Sequence, residues 1–88
     1  MLHHLPTSVK FMLYFSLTRT IHRMEVNVDK LVRLRVDKGW SQRRLAKEAG
    51  VTPLTVWNLE NGSGARPSTL KKLGDVLGVR ASELMRDD

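Results

Sequence analysis

The stretch Glu48 to Thr55, EAGVTPLT, cuts a chain that otherwise keeps helical spacing, with Leu45, Ala46 and Ala49 before it and Val56 and Leu59 after it. Gly50 has no Cβ and can take a positive φ, so it can end one helix. Thr52 then offers an N-cap oxygen, and the ring of Pro53 is already set at a helical φ. The cut predicts two short helices that meet at a tight corner.

With 88 residues the chain has room for one modest core and little for an enclosed active site, which argues against an elaborate enzyme. It has no cysteine, hence no disulfide framework and no thiolate metal cluster, in keeping with a reducing cytoplasm. The net charge of +6 divides evenly: residues 1–23 hold Lys10, Arg19 and Arg23 and no acid, while 24–88 hold twelve Lys/Arg against nine Asp/Glu. A basic balance favours a polyanionic partner, nucleic acid before an anionic membrane, although an excess of three charges decides nothing by itself.

Residues 1–25 differ in kind from the rest and are expected to be an N-terminal extension, with the domain running over 26–88. KFMLYFSLT is too short to span a bilayer, lacks a basic leader and is followed by no small-x-small cleavage site. Met24 is expected to be the natural start and 1–23 to have little structural consequence. A hydrophobic arm packed on the domain or on a second copy is the alternative. The polar and apolar residues of this stretch do not segregate as membrane association would require. The pair His3 and His4 reads as an exposed tail, since a metal would need ligands from elsewhere.

From Val28 onward five helices are expected. Asn27 caps a first helix, Val28–Lys38, that carries Val28, Leu31, Val32 and Leu34 and stops at Gly39. Trp40 follows as an apolar plug, and Ser41 caps a second helix with Leu45, Ala46 and Ala49 on its face. Thr52 caps the third, which Gly62 closes. GSGARP is a loop; the fourth helix carries Leu70, Leu73, Val76 and Leu77 and stops at Gly78, and a fifth, Ala81–Arg86, adds Leu84. Without alternating runs or repeats, the expected class is all-α and compact.

Two short helices joined through a glycine turn form a helix-turn-helix, which projects its second helix toward a DNA major groove. Counting from Gln42, Ala46 falls fifth, Gly50 ninth, Val56 fifteenth and Leu59 eighteenth. Ala46 lets the helices pass closely, Gly50 turns the chain, and Val56 and Leu59 anchor the projecting helix. With GWSQRRLAKEAGV, LENG, the RP before the fourth helix and the closing LGV..SEL, residues 28–86 resemble the phage repressor and Cro type of helix-turn-helix, the xenobiotic-response-element family. The resemblance implies a five-helix, lambda-repressor-like DNA-binding domain and a dimeric transcriptional regulator. In this family Ser or Asp often stands where Arg80 precedes the last helix, so that terminus is expected to fray.

At about 100° per residue, Thr52, Val56, Leu59 and Glu60 share one side of the third helix, and Leu54, Asn58 and Asn61 the other. Trp57 and Thr55 flank these faces, and Pro53 stands at the projecting end. Trp57 lies either against DNA or a partner, or at a helix–helix edge. Expected base contacts are therefore Pro53, Leu54, Thr55, Trp57 and Asn58: an amide can donate to and accept from adenine, and Leu54 and Thr55 can meet thymine methyls. This helix has no Lys or Arg, so affinity must come from phosphate contacts elsewhere. The resemblance puts these at Gln42, with Ser41 at the same helix end, at Asn61 and at Arg66, with Arg43 and Arg44 as neighbouring candidates. Lys47, Lys71 and Lys72 read as solvated. Arg35 and Glu60 resemble the family's buried ion pair between the first and third helices, a structural role.

Sequence-specific binding of double-stranded DNA in gene regulation, as a cytoplasmic homodimer, is the leading expectation. The alternative is a protein-interaction module such as the antitoxin of a toxin–antitoxin pair. No acid pair, nucleophile–base pair or metal-ligand cluster stands at useful spacing, so no enzymatic activity is expected. Nor is any cofactor, metal or small-molecule ligand.

Overall fold

The computed structural model describes residues 23–86. Within them lie four α-helices: α1 Val28–Asp37, α2 Gln42–Ala49, α3 Pro53–Glu60 and α4 Pro67–Leu77. A single turn of 3-10 helix, Ala81–Leu84, follows them. Each of the first three begins where a short polar side chain can take an orphan N–H of the first turn. Asn27 Oδ1 accepts from Lys30 N at 3.2 Å, Ser41 Oγ from Arg44 N at 3.0 Å, and Thr52 Oγ1 from Thr55 N at 3.1 Å. Pro53 and Pro67 stand in first turns, where a missing N–H costs nothing.

The corner between α2 and α3 is closed at Gly50, whose φ of 74° lies in the left-handed region. Beyond it the Val51 N–H reaches back to the Ala46 carbonyl at 3.0 Å, a carbonyl that the Gly50 N–H also reaches, and the two bonds close the helix end. Ala46 is fully buried. Its small side chain lets α3 cross close over α2.

The core gathers one stripe from each helix: Leu31 from α1, Leu45, Ala46 and Ala49 from α2, Val56 and Leu59 from α3, Leu70, Leu73 and Leu77 from α4, and Leu84 from the last turn. Val76, expected in the α4 stripe, is only half-buried, and Thr52, expected on the core side of α3, is exposed. Burying a leucine contributes roughly 1.5–3 kcal/mol, so these side chains dominate the stability of so small a domain. No charged or polar residue among the described ones is fully buried.

The expected fifth helix, Ala81–Arg86, is instead the four-residue 3-10 turn. Met85 and Arg86 are drawn into extended pairing with the segment that precedes α1: Asn27 N–H donates to the Leu84 carbonyl, and Arg86 N–H to the Glu25 carbonyl, both at 2.9 Å. Val26 and Met85 form an isolated antiparallel bridge. The Arg80 side chain makes no capping bond, but the Arg80 N–H donates to Glu83 Oε2 at 2.8 Å and holds the Glu83 carboxyl below its ordinary pKa. The start of the turn is thus held by Glu83.

The chain ahead of residue 26 also pairs with the loop before α4. Met24 and Ala65 exchange both backbone hydrogen bonds, at 2.7 and 2.9 Å. The expectations for residues 1–22, including the role of KFMLYFSLT and of His3 and His4, lie outside the described residues.

Candidate nucleic-acid interface

The projecting helix α3 is fixed from below by two apolar anchors and one carboxylate. Val56 is fully buried and Leu59 nearly so. Arg35, from α1, donates through Nε to Glu60 Oε2 at 2.7 Å and through Nη2 to Oε1 at 2.9 Å, and its Nη1 donates to the Trp40 carbonyl at 2.9 Å. Gln42, the first residue of α2, adds a bond from Nε2 to Glu60 Oε1 at 2.9 Å. One carboxylate thereby ties three helices together, and the Arg35 and Glu60 side chains keep only 14 and 7% of their surface exposed. A forked guanidinium–carboxylate pair fixes direction as well as distance. The orientation of α3 is set accordingly.

The outer face of α3 carries a different chemistry. Leu54 is 65% exposed and Trp57 52%, which resolves the open position of Trp57 in favour of the surface. Asn58 is half-buried between them, and its side-chain amide makes no hydrogen bond within the described residues. Pro53 is exposed at the leading end. The Thr55 hydroxyl lies 2.8 Å from that of Thr52. Asn61, expected as the last helical residue, stands just outside the helix as its C-cap, and its Nδ2 donates to the Trp57 carbonyl at 2.7 Å.

Around this face stand the cations. Arg66, exposed at the N-cap of α4, has no ion-pair partner among the described residues, and neither has Arg43 on α2. Arg44 is committed to Glu48 at 2.8 Å, with its guanidinium 5.5 Å from the Trp40 ring centre. Ser41 uses its oxygen to cap α2. Arg66 shares an open cleft of about 290 Å³ with Arg23, Thr55, Asn58, Ser63 and Thr69.

Sequence reasoning missed Arg23 as a member of this surface and counted it with the extension. Its Nη1 donates to the Gly64 carbonyl at 3.3 Å, across 41 residues of chain. Only the Met24–Ala65 pairing carries it there, so no local signal could have found it.

The described residues contain no cluster of three His, Cys, Asp or Glu side chains able to hold a metal, and no helix long and apolar enough to cross a membrane. What remains is a firmly held helix with an amide and apolar side chains outward, and beside it the guanidinium groups of Arg23 and Arg66, without an ion-pair partner among the described residues. Residues 31–84 match the helix-turn-helix family model. A search of the curated proteins finds no match.

Proposed function

Since the chain belongs to the helix-turn-helix family of the Cro and C1 type found in xenobiotic-response-element regulators, a family of DNA-binding domains, we propose that it is a sequence-specific regulator of transcription that inserts α3 into the major groove. The observation that carries the reading is the outward face of α3, where Leu54, Trp57 and the Asn58 amide, unbonded among the described residues, stand on a helix clamped from behind by Glu60. Pro53, Leu54, Thr55, Trp57 and Asn58 face the bases. Ser41, Gln42, Arg43, Asn61 and Arg66 hold the phosphates, and Arg23 joins them. Gln42 and Asn61 each use one amide hydrogen internally, and a carboxamide has a second to give a phosphate oxygen. The protein acts in the cytoplasm as a homodimer, with half-sites roughly 34 Å, one helical turn, apart.

Selection of duplexes from a random pool tests this. One site should be enriched, and Asn58→Ala should lose about 1–3 kcal/mol of discrimination at one base pair while keeping most non-specific binding. A pool that stays random would reject the reading. A second reading, a protein-interaction module of the antitoxin kind, draws support from the same exposed Leu54 and Trp57, which form an apolar edge a protein could cover. It would take the place of the first if Trp57→Ala abolished binding to a toxin partner while no duplex was ever enriched.

A further inference from the structure

We infer that the base pairs under α3 are adenine–thymine, with thymine methyl groups seated against Leu54 and Trp57 and one adenine edge read by Asn58. The inference rests on the DNA-binding reading above and specifies its substrate. Each base presents its own pattern in the major groove, and each pattern calls for a particular side chain. Guanine is read by Arg or Lys at O6 and N7, and α3 has neither. Cytosine donates from N4 and is best matched by a carboxylate, and the one carboxylate of α3, Glu60, has a side chain 7% exposed that already receives three N–H donors from Arg35 and Gln42. Neither base of a G·C pair finds its preferred reader on this helix.

Adenine requires a carboxamide that can both donate and accept. Three stand at or near α3. Gln42 is turned toward Glu60 and Asn61 toward the Trp57 carbonyl, each by one N–H bond, whereas the Asn58 amide makes no side-chain bond within the described residues. Thymine adds a C5-methyl, which rewards an apolar surface otherwise left in water. Leu54 and Trp57, 65 and 52% exposed, are that surface, and the Thr55 hydroxyl is engaged with Thr52. The cations of the adjoining cleft, Arg23 and Arg66, lie outside α3 and are assigned to the phosphates, as is Arg43 on α2.

The test uses the full chain and the duplex it enriches from a random pool. Each thymine is replaced in turn by uracil, which removes only the methyl group. At one or two positions the wild-type chain should lose about three- to fivefold in affinity, the effect of one exposed methyl. Leu54→Ala or Trp57→Ala should bind the thymine and uracil duplexes equally at the matching position. Both side chains are on the surface, so the variants keep the fold, and an unchanged thermal melt checks this. A uracil series without any loss in the wild-type chain, or an enriched core of G·C pairs under α3, overturns the inference while leaving DNA binding intact. A chain that enriches no duplex overturns the DNA reading itself and this inference with it.

Discussion

At Glu60 one carboxylate receives N–H donors from Arg35 and Gln42, and nearly all of it is out of water. Desolvating two charges is costly, and their attraction compensates only when the geometry is good, so such a pair adds little net stability compared with apolar packing. Removing one partner is a different matter, since it strands the other charge. Glu60→Met and Arg35→Met should each cost about 3–5 kcal/mol in denaturant unfolding, and the double variant far less than their sum. Small additive losses would mean that water reaches the pair freely and that α3 is held by Val56 and Leu59 alone.

At the scale of the element, α4 shows how a helix can need a residue that helices disfavour. Gly74 is buried within α4, and a Cβ built there would lie 2.6 Å from the Val79 carbonyl oxygen, a backbone atom of the exit that leads to the 3-10 turn. Alanine in a helix interior is ordinarily better than glycine by about 1 kcal/mol. Here the overlap should win: Gly74→Ala forces the exit away from α4 and should destabilise by about 1–3 kcal/mol, the usual range for overpacking. Leu84, fully buried just beyond that exit, would shift with it. A raised melting temperature for Gly74→Ala would show that the exit gives way without loss.

On the scale of the whole molecule, the question is where the charge sits. Residues 24–88 carry an excess of only three positive charges. Non-specific affinity must then come from the placement of a few cations. Arg66 and Arg23 line one cleft with Asn58, while Lys71 is paired with Asp75 on α4. Taking one cation away from a phosphate should lower the slope of log affinity against log salt by about 0.9. Arg66→Gln and Arg23→Gln should each show that reduction on any duplex, and Lys71→Gln should not. Equal slopes for all three would place the phosphate track elsewhere on the surface.

By itself the sequence determined what short-range physics controls. The caps at Asn27, Ser41 and Thr52, the turn at Gly50 and the apolar stripes all depend on residues within about one turn of each other, and α1 to α4 fall close to where those signals put them. Helical periodicity put Leu54 and Asn58 outward, but it left Trp57 open and put Thr52 on the core side, and the fold exposes both. Only the tertiary structure decided what depends on chain segments far apart in sequence. Arg86 pairs with Glu25 and so turns the expected last helix into a 3-10 turn, and Met24 pairs with Ala65 and so brings Arg23 into the cleft beside Asn58. The carboxamides divide the same way: Asn61 bonds the Trp57 carbonyl only four residues back, whereas nothing local sets Gln42 apart from Asn58. Packing against Glu60 and the capping of α3 occupy two of them, because a buried or capping polar group must find its partner wherever the folded chain places one.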